Sequence, residues 1–285
     1  MTAVRRWERA DVAAAWPVPG AADDKYSRGV VGVVAGSEAY PGAAALVVSG
    51  AIRAGAGMVR YVGPERAQDL VLAHRPEAVV HHPVDAAERL PRAQAWVVGS
   101  GVADYPEQDA AIGAVIAESA PMVADAGALE TVTRARAAGA RAIGPDRVLL
   151  TPHAGELLRT LEALRHDVTA ADLERDRVGH ARLLAETARA TVLLKGAVTL
   201  IVSPGGGVIE LPLAPAWLAT AGAGDVLAGI AGALLAAGLP AAEAGACAAW
   251  MHARAAESAS AGGPIAALDV ASALPAVVAE LLSSS

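Results

Sequence analysis

The sequence predicts an α/β fold: a doubly wound, mostly parallel sheet with helices on both faces. Three observations predict it. Apolar runs of strand length alternate with Ala-rich helical patterns from end to end of the 285 residues. Several runs are apolar at every position, as in Val30–Ala35, which suits strands buried on both faces. Hydrophobic residues make up 54% of the chain but aromatics 3%, with no Phe, so the core must be built from Ala, Val, Leu and Ile. No repeat period and no low-complexity linker divides the chain, so residues 1–285 read as a single domain.

Taken in order, Asp11–Trp16 reads as a short helix stopped by Pro17 and Pro19. Val30–Ala35 is a strand, and it ends in a glycine turn, Gly36 to Gly42. Ala43–Ala54 is helical, and Met58–Val62 completes a βαβ crossover. Ala67–Ala73 is helical and Ala78–Val80 a short strand. Ala95–Val98 is a strand ending in Gly99-Ser100-Gly101, followed by a helix over Glu107–Ser119. Met122–Ala124 delivers Asp125 at a strand end, before a helix over Leu129–Ala137. Val148–Leu150 delivers Thr151-Pro152-His153, and Gly155–Leu164 and Ala170–Arg189 are helical. Thr191–Leu194 ends at Lys195-Gly196. Thr199–Val202 and Val208–Leu211 flank three glycines and read as a hairpin. Val226–Ala237 and Ala241–Ser260 are helical, and Leu268–Leu282 is helical with a break expected at Pro275.

Bulk properties exclude several classes. The net charge is −7 and no basic run appears, which disfavours nucleic acid. The longest apolar stretch, Val226–Leu239, is too short for a typical membrane span, and the N-terminus has no signal-peptide core. A single cysteine, Cys247, rules out an internal disulfide, so a reducing cytoplasm is the expected location. No histidine–acid cluster has metal-ligand spacing, so no protein-held metal is expected. There is no Walker A pattern, no G-x-S-x-G elbow and no glycine fingerprint placed after a strand. Lys25 and Lys195 are the two lysines among 23 basic residues, which reads either as two positions where arginine would not serve or as chance under a strong arginine bias.

Ligands of such sheets bind beyond the C-terminal strand ends. Those ends carry Gly36, Gly99–Gly101, Asp125, Thr151–His153 and Lys195. The stretch with most chemical content is Gly222-Ala223-Gly224-Asp225, opening an apolar helix. Its bare amides and the helix dipole favour an anion, and the glycines permit close approach. Asp225 there has two readings: an N-cap, or a base beside a transferring phosphate. Asp125 reads equally as a ligand-orienting group, a water-mediated magnesium site or a helix cap. His153 and Glu156 read as ordinary first-turn residues or as site residues, and Lys195 as a phosphate contact or a solvated turn charge.

Five motifs in order give these positions a further meaning. Gly36-Ser37-x-x-Tyr40-x-Gly42-Ala43, Ala54-Gly55-Ala56-Gly57, Thr151-Pro152-His153-x-Gly155-Glu156, Leu194-Lys195-Gly196-Ala197-x-Thr199 and Ala223-Gly224-Asp225-Val226-Leu227-Ala228-Gly229 resemble those of the ADP- or ATP-dependent NAD(P)H-hydrate dehydratases, of the ribokinase-like superfamily. The resemblance runs from Asp24 to His252. It implies a three-layer ribokinase-like fold and a cofactor-repair reaction. The nucleotide's terminal phosphate goes to the ring hydroxyl of the S epimer of hydrated NADH or NADPH (NADHX or NADPHX), and phosphate then leaves. It implies Asp225 as base and hydrate contact, Gly222, Ala223 and Gly224 as the anion hole, and Ala43, Gly101 and His153 as hydrate contacts. Lys195, Gly196, Ala197, Val198, Thr199 and Gly224 would hold the nucleotide's AMP portion. It also implies Mg2+, a homo-oligomer (a tetramer), and pairing with an NAD(P)H-hydrate epimerase.

Three positions depart from the family pattern. Ala223 stands where the family commonly has serine, Ser100 where it has proline, and Asp24-Lys25 where it has His-Lys. The stretch before Val30 leaves no room for the epimerase domain that some members carry, so a stand-alone dehydratase is expected. The alternatives are a ribokinase-like kinase of a vitamin precursor or sugar, and a nucleotide sensor without turnover.

Overall fold

A computed structural model describes residues 4–103, 106–139 and 143–283. Its strands are β1 (Val4–Arg6), β2 (Val30–Val34), β3 (Met58–Val62), β4 (Val79–His81), β5 (Ala95–Val98), β6 (Met122–Ala124), β7 (Val148–Leu150), β8 (Thr191–Leu194), β9 (Val198–Val202) and β10 (Val208–Leu213). Its helices are α1 (Arg9–Ala15), α2 (Pro41–Arg53), α3 (Glu65–His74), α4 (Pro83–Glu88), α5 (Pro106–Ala117), α6 (Leu129–Ala137), α7 (Ala154–Ala163), α8 (Ala170–Arg175), α9 (Arg177–Ala188), α10 (Ala223–Ala236), α11 (Ala241–Ser260) and α12 (Ala267–Ser283).

These strands form one sheet in the order β1-β10-β9-β8-β7-β6-β5-β2-β3-β4. All neighbours are parallel except that β9 runs against both β8 and β10. Each strand presents alternate residues to opposite faces, and the core divides accordingly. Val31, Val33, Val97, Val123, Leu149 and Leu193 face a core shared with α2, α10, α11 and α12. Val34, Trp96, Val98, Ala124, Leu150 and Leu194 face a second core shared with α5, α6, α7 and α9. The result is three layers, with β2, β5, β6, β7 and β8 buried on both faces.

The strand order reverses beside β2, which pairs with β3 on one side and β5 on the other. The loops leaving β2 and β5 therefore diverge and open a crevice at the C-terminal edge. One helix pair holds that crevice in place. A Cβ on Gly229 of α10 would lie 2.1 Å from the Val47 carbonyl oxygen of α2, and one on Gly50 of α2 would lie 2.4 Å from that of Val226. The two helices thus pack backbone to backbone, which fixes the first half of α10 against the second half of α2.

Several sequence expectations are corrected. β1 was not expected. Its three residues are all exposed, so it carries no apolar signal, and it is held by its pairing with β10. The expected helix Ala170–Arg189 is two helices, because the Asp176 side chain caps a new start by accepting from the Gly179 amide. No break occurs at Pro275: α12 runs through it, with Pro275 on the exposed face. α10 starts at Ala223 rather than Val226, with Gly222 at the cap in left-handed conformation (φ 82°). Asp225 is therefore a first-turn residue and not the N-cap.

Candidate active site

The crevice is built from strand ends. Gly36 and Gly101, after β2 and β5, both take positive φ (70° and 65°), and the Gly36 amide donates to the Ser100 carbonyl at 2.7 Å. A Cβ on Gly101 would lie 2.4 Å from the Ala43 Cβ, so these two expected hydrate contacts form one wall.

Beside that wall lies a buried charge cluster from loops far apart in sequence. Asp125, after β6, is 2% exposed. It accepts hydrogen bonds from Ser100 Oγ at 2.9 Å, Thr151 Oγ1 at 2.9 Å and Lys195 Nζ at 2.8 Å. Lys195 Nζ also lies 3.4 Å from Glu156 Oε2. Burial works against the lysine's charge, but Asp125 and Glu156 outweigh it and the Lys195 pKa moves up. Lys195 is thus a fixed cation at the crevice floor.

α10 brings Asp225 to this cluster. Its pKa is pushed up to about 7, first by burial and then by the Asp125 charge, with Lys195 and the Ser100 hydroxyl acting in the opposite direction and Glu156 adding to the rise. A carboxylate so placed can hold a proton or release it near neutral pH. At the same helix start, the Asp225 amide bonds the Gly222 carbonyl at 3.1 Å and the Ala223 amide reaches that of Thr220 at 3.4 Å. The Gly224 amide makes neither kind of bond, and a Cβ there would sit 3.5 Å from Lys195 Nζ.

His153 is the N-cap of α7. Its Nδ1 accepts from the Gly155 and Glu156 amides, at 3.1 and 3.3 Å, and its own amide donates to Glu156 Oε2 at 2.7 Å. The neutral ring therefore carries its proton on Nε2, 3.5 Å from Glu156 Oε1. It caps a helix and faces the carboxylate that also pairs with Lys195, so the two readings of His153 are compatible.

A cavity of about 570 Å3 runs from Lys195 along the turn into β9, the loop after β10, the start of α10 and α11. Lys195, Gly196, Ala197, Thr199, Ala223 and Gly224 line it. Val198 does not: it lines a separate cavity beside β1, as strand alternation dictates. Lys25 is also elsewhere. Its carbonyl lies against Gly57, just before β3, at the opposite end of the sheet. Lysine scarcity therefore points to one residue of the crevice, not two.

Among the described residues no three His, Cys, Asp or Glu side chains form a metal-binding group. The Asp125 oxygens are taken by Ser100, Thr151 and Lys195. The donor set does not fit a Mg2+ coordinated directly by the protein.

A family model described as NAD(P)H-hydrate dehydratase matches residues 31–275. The chain belongs to the NAD(P)H-hydrate dehydratase family. It is 48% identical over 256 residues to the bifunctional NAD(P)H-hydrate repair enzyme of Mycobacterium leprae, covering 87% of this chain and 50% of that protein. It is 36% identical over 236 residues to the ADP-dependent (S)-NAD(P)H-hydrate dehydratase of Neisseria meningitidis, covering 80% of this chain and 76% of that one. The chain spans about half the length of such bifunctional relatives. The ADP/ATP-dependent NAD(P)H-hydrate dehydratase of Bacillus subtilis, co-crystallised with ATP and Mg2+, superposes with a TM-score of 0.87 at 28% identity, covering 98% and 99% of the two chains. The fold is ribokinase-like, as the likeness to Thermotoga maritima ribokinase also shows (TM-score 0.56, 13% identity).

Within this dehydratase family fold, sequence reasoning missed the joint role of Ser100 and Thr151 and did not consider His252. Ser100 and Thr151 sit on strand-end turns, which was the available signal. His252, on α11, is 6% exposed and lines the 570 Å3 cavity. Its pKa is pushed down to about 4 by burial and by Lys195, against the pull of the Ala223 carbonyl, so it stays neutral. Nothing local in sequence sets it apart from the rest of an Ala-rich helix.

Proposed function

We propose that this protein dehydrates the S epimer of hydrated NADH or NADPH, using the terminal phosphate of ADP or ATP. The observation that carries this reading is Asp225: a half-buried carboxylate with its pKa pushed up to about 7, on the first turn of α10, where Gly224 lies against Lys195. Family membership supplies the substrate class.

The nucleotide lies in the 570 Å3 cavity, with its phosphates toward Lys195 and the Gly222-Ala223-Gly224 turn. Lys195, Gly196, Ala197, Thr199 and Gly224 contact it. Val198 contributes through its backbone, since its side chain faces away. The hydrated ring lies against Ala43, Gly101 and His153, with its hydroxyl toward Asp225. Asp225 takes the hydroxyl proton as that oxygen attacks the terminal phosphorus, and the shortened nucleotide leaves. Lys195 and the helix-start amides balance the charge on the transferring group. Phosphate then departs with the C–O bond electrons, and the neighbouring ring carbon gives up a proton to restore the double bond. Water is a poor leaving group and phosphate a good one, which is why a nucleotide is consumed. Magnesium would enter bound to the nucleotide.

A homotetramer working in the cytoplasm, alongside an epimerase that supplies the S epimer, completes the reading. Its support is the resemblance, and light scattering measures the assembly. Among the described residues no helix is long and apolar enough to cross a membrane.

The test is incubation with hydrated NADH, Mg2+ and ADP or ATP. Recovery of the reduced nicotinamide's near-ultraviolet absorbance, matched by nucleotide consumption, is the expected outcome. Nucleotide consumed only with another alcohol would establish a small-molecule kinase instead. Nucleotide binding without turnover would establish a sensor.

A further inference from the structure

The loop after β2 is held by two buried side chains on successive carbonyls. Tyr61 of β3 is 0% exposed, and its hydroxyl donates to the Ala35 carbonyl at 2.8 Å. Gln108 of α5 is also 0% exposed, and its Nε2 donates to the Gly36 carbonyl at 2.6 Å. The Ala35 carbonyl lies 3.5 Å from the same Nε2, so two acceptors fix the amide with its nitrogen toward the turn. The other end of the amide, Oε1, is buried without a hydrogen-bond partner among the described residues. A glutamine half-satisfied in this way costs stability, and an apolar side chain of similar size would fill the space without an orphaned oxygen. Packing alone does not account for it. What the amide holds is the joint of the crevice. Gly36 takes a left-handed φ of 70°, and its amide donates to the Ser100 carbonyl at 2.7 Å. Its Cα lies 3.4 Å from the place a Cβ would occupy on Gly101, and a Cβ on Gly36 itself would lie 2.9 Å from that of Ala44.

We propose that Gln108 is a positioning residue for the hydrated substrate: its buried amide clamps the Gly36 peptide and so sets the wall, Ala43 against Gly101, on which the hydrated ring lies. The proposal rests on the reading that this wall receives the hydrate. The clamp reaches both sides of the wall. Gly36 is bonded to the Gly101 turn through the Ser100 carbonyl, and it packs on the start of α2, which carries Ala43. A Gly36 peptide free to rotate would let the two sides drift apart, and a ring held by van der Waals contact would feel a shift of a few tenths of an ångström. The nucleotide cavity shares none of these residues, since its lining comes from the β8–β9 turn, the loop after β10, α10 and α11. Gln108 therefore acts on one substrate and not on the other.

The experiment compares the full-length protein with Gln108→Met, which keeps the length of the side chain but donates no hydrogen bond. Steady-state rates are measured with hydrated NADH and with ADP or ATP, each varied while the other is saturating. KM for the hydrate should rise about fivefold, the worth of one ordinary hydrogen bond, with KM for the nucleotide unchanged. The melting temperature should stay within about two degrees of wild type, because the substitution strands the Gly36 carbonyl but removes the orphaned Oε1. Gln108→Leu repeats the comparison with another apolar shape, which separates loss of the amide from misfit of one side chain. An unmoved KM for the hydrate, or an equal rise in both KM values, would overturn the proposal. Hydrogen exchange read by mass spectrometry follows the clamp without turnover. Residues 35–43 should exchange about fivefold faster in Gln108→Met, with residues 195–199 unchanged. Equal protection of residues 35–43 in the two proteins would show that the amide clamps nothing. If the wild type failed to dehydrate the hydrate, the functional reading would fall, and the exchange comparison would still decide whether Gln108 holds the turn.

Discussion

Asp225 has two opposing demands on it, and its environment reveals both. Burial and the Asp125 charge push its pKa up to about 7, well above the ordinary aspartate range. The folded state thus binds its proton more tightly than the unfolded one. That contribution to stability is fully present below about pH 4 and is lost as pH rises through about 7. Asp225→Asn removes the charge, so it should melt higher than wild type at pH of about 8, with the gain gone near pH of about 4. The same variant should bind nucleotide at least as well, since a negative charge near the phosphates is gone, and lose turnover by about a hundredfold or more. Wild-type turnover in Asp225→Asn would return this residue to a purely local role at the helix start. Lys195→Ala gives the complementary outcome. It leaves Asp125 and Glu156 without their cation, so both nucleotide KM and stability should suffer, the latter by about 3 kcal/mol. Unchanged melting would mean that water replaces the ammonium. This departs from the reading of Lys195 as a solvated turn charge. The difference is the buried pair with Asp125, formed across 70 positions of chain, which no local pattern encodes.

At the scale of elements, the site depends on α2 and α10 touching through glycine. In a free helix, Gly→Ala adds about 1 kcal/mol of stability. At Gly229 the new methyl would sit 2.1 Å from the Val47 carbonyl oxygen and 2.9 Å from the Ala51 amide nitrogen, both backbone atoms that cannot turn aside. Steric cost wins over propensity, and Gly229→Ala should destabilise by about 1 to 3 kcal/mol in urea titration. It should also lower kcat/KM, because α2 carries Ala43 and α10 carries Asp225. Gain of stability would show that the pair can separate without loss. Much of this level was legible in the sequence. Continuous apolar runs marked the buried strands, and the α11 bounds followed from its Ala-rich pattern. Two kinds of feature were not. β1 is charged and exposed, so its pairing has no compositional trace. The start of α10 lacks any side-chain cap, so the apolar run placed it three residues late, at Val226 instead of Ala223.

At the scale of the molecule, the strand order explains why the site was partly readable. Parallel strands place all their C-terminal ends on one edge, so polar residues at strand ends mark one surface. That reasoning collected Gly101, Asp125, Thr151, His153 and Lys195 without any distance. It could not say that Lys25 lies at the other edge, nor that His252 reaches the cavity from α11, because both depend on how helices and turns fold back over the sheet. The cavity itself unites the β8–β9 turn, the loop after β10, α10 and α11. A ligand there ties four segments of the C-terminal half together, and binding energy becomes folding energy. ADP or ATP at about 100 times its Kd should therefore add about 2.7 kcal/mol, a rise of several degrees in melting temperature. The rise should scale with the logarithm of nucleotide concentration. It should be small in Lys195→Ala and retained in Asp225→Asn, because the first removes the phosphate contact and the second does not. A nucleotide shift preserved in Lys195→Ala would place the phosphates away from the Lys195 end, and the cavity would then have to be read in the reverse direction.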